Sequence, residues 1–193
     1  MTEAAVVGEA AAPPIGLRNL VWSVLALLVM VAAILSRVPW FLNFVHVMAG
    51  LLWTGIDLFM GFVIGPILSR VSLPARRAII SRLMPRMIFL MPTLAIITGT
   101  AGWYLARDLG FLDLGYPQFW WVLAALAIIA VLTVQGLGII LPTNLRVYFE
   151  LRKPQPDGAR IGRWMRRYIY SVAFQGLMQI AIIVVMARFV SGL

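Results

Sequence analysis

The chain has 193 residues, of which 62% are hydrophobic and only 12% charged, with no cysteine and a formal net charge of +9. Soluble domains are about 45–50% apolar and about 25% charged, so a mean hydropathy of +0.95 excludes an ordinary soluble domain. It describes a chain that spends most of its length crossing a lipid bilayer in segments of about 20 residues. The missing cysteines exclude disulfide frameworks, thiolate metal sites, iron–sulfur clusters and cysteine nucleophiles. In a chain this apolar, the positive charge faces anionic headgroups rather than nucleic acid.

Residues 1–16 (MTEAAVVGEAAAPPIG) are small and weakly acidic and lack the basic n-region of a secretory signal. They read as part of a retained N-terminal tail, 1–19, ahead of a transmembrane domain, 20–193. The first apolar run, 20–35, is short for a span, but Arg18 and Arg37 at its ends can snorkel and extend it. The second, 41–68, is interrupted by Asn43, His46, Thr54 and Asp57 and is long enough to tilt. The third, 87–106, and the fourth, 117–141, are followed by a basic segment with a turn at PQPDG (154–158) and by a last span, 168–190. Continuous apolar runs disfavour a β-barrel. The expected fold is an all-α integral membrane bundle of five transmembrane helices.

Loop charge orients the bundle. Arg70, Arg76, Arg77, Arg82 and Arg86 lie between spans two and three, and Arg146, Arg152, Lys153, Arg160, Arg163, Arg166 and Arg167 between spans four and five. Both connections therefore belong in the cytoplasm, and Asp108 and Asp113 on the other side. The N-terminus is expected to be cytoplasmic and the C-terminus periplasmic. Ala75, Ile79 and Leu83, then Ile161, Trp164 and Met165, recur at helical spacing and predict segments lying along the inner surface. Fifteen of the sixteen basic residues are Arg, a usage that suits a GC-rich bacterial genome and an inner-membrane location.

Ionisable groups inside spans are costly and face the bundle interior, which makes them the best functional clues. His46, Gly50, Trp53, Asp57 and Ile64 fall on one helix face. His46 and Asp57 are eleven residues apart, about 16 Å along the axis, so they mark two sites at two depths. Gly50, one turn from His46, removes bulk where a planar group on the imidazole would lie. His46 is the only histidine, so a haem b here has one histidine ligand from this chain. Met186 on span five lies at matching depth as the internal candidate for a second, and Arg188 is placed to neutralise a propionate. Met84, Met87 and Met91 read as packing residues or, in a copper protein, as ligands. Asp57 matches the depth of Gln135, Gln175 and Gln179, with Ser171 continuing that face, and the four form a polar seam whose acid is a candidate proton-transfer group. The same residues equally describe interhelical hydrogen bonding, with TGTAG (98–102) and Gly61–Gly65 at close helix crossings. Trp103, Tyr104, Trp120 and Trp121 fit an outer aromatic belt.

The segment His46-Val-Met-Ala-Gly50-Leu-Leu-Trp53-Thr-Gly55 resembles the first histidine helix of the group that contains HemJ-type protoporphyrinogen oxidases and CopD-type copper-resistance membrane proteins. The likeness continues through an Arg-rich loop into a helix with Pro92, Thr98 and Gly99 and covers roughly residues 41–190. It implies haem or porphyrin association with redox chemistry, or copper handling, centred on His46. The membrane-embedded lysine and further histidine of the HemJ pattern are missing, so the resemblance implies a divergent member, such as a subunit of a larger membrane redox complex or a non-catalytic accessory subunit. The expected partners are the bilayer and other membrane subunits.

Overall fold

A computed structural model describes residues 17–192. The tail expected at 1–16 lies outside the described residues, whereas residues 17–19 already belong to the first helix. Among the described residues the fold is all-helical: α1 Leu17–Ser36, α2 Pro39–Phe59, a π segment Met60–Ile64, α3 Gly65–Arg70, α4 Leu73–Asp108, a 3-10 turn Phe111–Asp113, α5 Phe119–Gln135, a second π segment Gly136–Ile140, α6 Leu141–Leu151 and α7 Gly158–Val190. Four helical stretches are long and apolar enough to cross a membrane, Pro39–Leu68, Pro74–Asp108, Phe119–Leu151 and Gly158–Val190, and Leu20–Ser36 is a shorter apolar helix. Their outward faces carry Trp22, Leu35, Phe62, Val134, Leu177 and Val184, all exposed. So large an apolar exterior suits hydrocarbon and not water.

Local chemistry sets the breaks. Arg37 takes a left-handed backbone conformation at φ 55° between α1 and α2. The Ser36 hydroxyl there donates to the Ala33 carbonyl at 2.8 Å and accepts from the Val38 amide at 3.2 Å, while Pro39 starts α2, where its missing N–H costs nothing. Pro74 starts α4 in the same way, and Arg76 Nε donates to the Leu68 carbonyl at 2.6 Å, placing a cation at the C-terminal end of α3, the end its dipole favours.

The helices form two packed groups. Met30, Ala33, Leu42, Val45, Ala49, Leu94, Ile97 and Ala101 join α1, α2 and α4 in one core. Ile80, Met84, Val147 and Tyr148 join α4 and α6 in another, against which Leu68, Ile161, Trp164 and Met165 pack. The second core corrects the expected surface-lying segments. Residues 73–86 are one helix with the third span and 158–167 one helix with the fifth. Ile161, Trp164 and Met165 pack on Ile80, Met84, Val147 and Tyr148. At 1.5 Å per residue α4 is about 54 Å long and α7 about 50 Å, well beyond a hydrocarbon core of about 30 Å, so both extend past it at the arginine-rich end.

That end is tied by Glu150, which the sequence reading passed over. Its carboxylate is buried and pairs with Lys153 Nζ at 2.7 Å and with Arg160 Nη1 at 3.9 Å. It also accepts from the Asp157 amide at 3.3 Å. Asp157 in turn caps α7 by accepting from the Arg160 amide at 2.9 Å, the usual use of Asp before a helix. The turn at 154–158 is thus held by two acids and two cations. The hydrogen bond from Lys153 holds the Glu150 carboxyl below its ordinary value, and the Arg160 backbone amide does the same for Asp157.

Candidate functional site

Between the two groups lies a cavity of about 450 Å³ walled by α2, α4, α5, α6, α7 and both π segments. Its walls are mainly apolar and include Trp53, Met60, Met87, Met91, Trp103, Ile129, Leu132 and Leu137, while Asp57, Thr100, Thr133, Asn144, Tyr168 and Gln175 supply polar groups. A large apolar pocket with a few convergent polar groups is the usual form of a small-molecule site.

Asp57 is 7% exposed. Gln175 Nε2 and Gln179 Nε2, one turn apart on α7, both donate to its Oδ2, the latter at 2.8 Å. Gln135 faces the same helix but donates to the Ser171 carbonyl. Asp57 with Gln175 and Gln179 is therefore one bonded unit, and Gln135 with the Ser171 carbonyl, one turn before Gln175 on α7, a second. No described basic residue forms an ion pair with Asp57. Four buried amide oxygens, Gln135 Oε1, Asn144 Oδ1, Gln175 Oε1 and Gln179 Oε1, have no hydrogen-bond donor among the described residues.

His46 stands seven residues before Trp53 on the same face of α2, about 10 Å further along the axis, and is not among the residues lining the cavity. Its Nδ1 is 2.9 Å from the Thr98 carbonyl. A carbonyl only accepts, so the proton sits on Nδ1 and Nε2 keeps its lone pair. The imidazole lies across Gly102, where a Cβ would come within 2.6 Å of Cε1 and 2.9 Å of Nδ1. A Cβ on Gly50 would meet Thr98 Cγ2 at 3.3 Å, so Gly50 clears the helix crossing, and the residue that makes room for the imidazole is Gly102. TGTAG does mark a close crossing, with α2 on α4. The Gly61–Gly65 pair does not. A Cβ on Gly61 would meet nothing within 4 Å, and one on Gly65 only the Met60 carbonyl, so these glycines serve the first π segment.

Trp53 lines the cavity, as do Met87 and Met91, whereas Met84 packs in the core at the arginine-rich end. Met186 is half-buried on α7. Arg188 sits over the Trp121 ring at 5.9 Å, and Arg107 over Tyr104 at 4.7 Å. Both aromatic faces of the expected belt thus carry cations. The sequence signals for Asn144, Tyr168 and Met60 as lining residues were weak, because each stands alone among residues with ordinary packing roles.

Comparison with family models, with curated proteins and with solved structures gave no match. The functional reading therefore rests on the site.

Proposed function

We propose that the protein is a multi-pass bacterial inner-membrane protein of a redox system, a haem- or porphyrin-associated protein or a subunit of a larger membrane redox complex, with His46 as its ligand to iron. The observation that carries this reading is the bond from His46 Nδ1 to the Thr98 carbonyl. A backbone acceptor on one ring nitrogen fixes the tautomer and ring orientation of a metal-ligating histidine and makes the other nitrogen more basic. Gly102 lets the imidazole lie against α4, and Nε2 is left as the donor. Haem, when bound, supplies one-electron chemistry. This chain supplies one nitrogen ligand, oriented by Thr98, while Asp57 holds or releases a proton about 16 Å further along α2. Met186 or a group from a partner subunit would supply any further ligand. Absorption spectra of the purified protein, oxidised and reduced, test the reading. A Soret band lost in His46→Ala with the bundle intact supports it, and a native protein that takes up no haem overturns it.

A second reading, copper handling, is favoured by Met60, Met87 and Met91, which come from two helical stretches to one cavity wall. Thioethers select Cu(I) over harder ions. Replacing all three by Leu should then abolish Cu(I) binding while leaving haem uptake unchanged.

The orientation proposed with either reading puts the ends carrying Arg77 and Arg160 in the cytoplasm and Asp113 in the periplasm. It is supported by the inner-end core, which brings both arginine-rich connections to one end of the bundle. Reporter fusions that place Asp113 on the same side as Arg77 would overturn it.

A further inference from the structure

The Asp57 cavity holds features that an iron ligand at His46 does not use. Both amides of α7 bond to Oδ2 of Asp57, and Oδ1 has no protein partner among the described residues. Two of the orphaned amide oxygens, Asn144 Oδ1 and Gln175 Oε1, belong to residues that line the cavity and are 5% and 3% exposed. A buried acceptor without a donor is costly, and a carboxylate inside a membrane without a cation is costlier. All three deficits have one sign: each calls for hydrogen-bond donors, and Asp57 also calls for positive charge.

We propose that the cavity binds a lipophilic organic ammonium, a protonated primary or secondary amine on an aromatic or alkyl body. The ammonium meets Asp57 Oδ1 and donates its N–H groups to Asn144 Oδ1 and Gln175 Oε1, and the body lies between Trp53, Trp103 and the methionines. A bare metal cation does not suit the space. A hard ion takes about six to eight oxygen ligands at 2.0–2.6 Å, whereas about 450 Å³ of mainly apolar wall matches a molecule of drug-like size. Aromatic rings favour a cation near their faces, and thioethers contact aromatic bodies well. The inference stands independently of iron at His46, since it uses neither His46, Thr98 nor Gly102; only Asp57 is shared with the proton step proposed above.

The test uses the purified full chain in nanodiscs of phosphatidylcholine, with quenching of tryptophan fluorescence as readout and three probes of one shape: 1-naphthylmethylammonium, its N-trimethyl analogue and neutral 1-naphthylmethanol. The primary ammonium should bind at least tenfold more tightly than the alcohol. It should also bind severalfold more tightly than the trimethyl analogue, which carries charge but no N–H. Asp57→Asn should remove the preference for ammonium over alcohol. Asn144→Leu, which leaves Asp57 and its two glutamines in place, should remove the preference for primary over trimethyl ammonium, so a folding defect in one variant leaves the other as a test. Equal binding of all three probes, an unchanged preference in a folded Asp57→Asn, or no saturable binding of the primary ammonium overturns the proposal. His46→Ala, tested with the same three probes, should keep the native preferences, since His46 does not line the cavity, which separates a failure here from a failure at His46.

Discussion

Gly102→Ala is the sharpest test of how α2 and α4 meet. The added Cβ would sit 2.6 Å from Cε1 of His46 and 2.9 Å from its Nδ1, distances that real Cβ contacts do not show. The imidazole is the tip of a side chain with two torsions, so it can swing away, but only by releasing the Thr98 carbonyl. Overpacking costs about 1–3 kcal/mol, and a lost interhelical hydrogen bond in a membrane costs about 0.6 kcal/mol. Replacing Gly by Ala in a helix returns about 1 kcal/mol. The net expectation is a loss of about 1–2 kcal/mol. In a His46→Ala background the clash and the bond are both gone, so the same Gly102→Ala change should be neutral or stabilising by up to about 1 kcal/mol, a reversal of sign. Gly50→Ala, which meets only a Thr98 methyl at 3.3 Å, should stay close to neutral. Equilibrium unfolding in mixed micelles, followed by tryptophan fluorescence, measures the four-member cycle. If Gly102→Ala destabilised both backgrounds equally, the imidazole would not be what fills the space at Gly102.

Asp57→Leu should destabilise by more than about 2 kcal/mol, because it strands two buried amide donors at about 1–3 kcal/mol each. Asp57→Asn, which keeps an acceptor for them, should cost under half as much in the same unfolding assay. Thr143→Val removes the hydroxyl that donates to the Ile139 carbonyl at 2.6 Å and should cost about 1 kcal/mol. Because Lys153 lowers the pKa of Glu150, the stabilisation this carboxylate gives the turn is complete above its ordinary value of 4.5 and is lost as the pH falls through the lowered one. Proteolytic susceptibility, or loss of amide-exchange protection relative to the unstructured rate at each pH, at residues 154–158 should therefore rise on acidification in the native protein. In Glu150→Gln it should be already raised at neutral pH and much less dependent on acid.

What the sequence made legible follows from what each signal encodes. Apolar runs report exposure to lipid, so the helices at 17–36 and 39–70 were readable within a few residues, as were the end of α4 at 108 and the start of the stretch 119–151, which was expected to close at 141. The arginine-rich ends of α4 and α7 were misread because arginine spacing looks the same on a helix lying at a surface and on one projecting from it, and only the packing of Trp164 and Met165 on Val147 and Tyr148 decides between them. Depth matching brought Asp57 to Gln175 and Gln179 because antiparallel spans of known rise leave little freedom. It could not separate them from Gln135, since depth carries no information about which atom of α7 a neighbouring side chain meets, and Gln135 meets the Ser171 carbonyl. The partner of His46 was illegible for a related reason. Its acceptor is a backbone carbonyl, which every residue has, and the glycine that makes room for it lies on another helix.

The two π segments give these particulars a common cause. Met60–Ile64 ends two residues before Pro66, and Gly136–Ile140 ends two residues before Pro142. In each stretch a buried polar residue, Asp57 or Gln135, stands on the α-helical turn just ahead. Proline removes an amide donor and crowds the carbonyl four residues back, and a π turn, closed by i→i+5 bonds, is one way a helix absorbs that disturbance. The wider turn also shifts the helix phase by about one residue, roughly 100°, so the face that carries His46, Trp53 and Asp57 does not continue in register to Ile64. Met60, Gly136, Leu137 and Ile140, from the same two segments, form part of the cavity wall. A regular helix through either stretch would carry the face of Asp57 or Gln135 straight on toward the arginine-rich end. The interruption instead places the polar group beside the widened turn and its open space, so that the prolines, residues with no polar side chain to contribute, help determine where Asp57 meets the cavity.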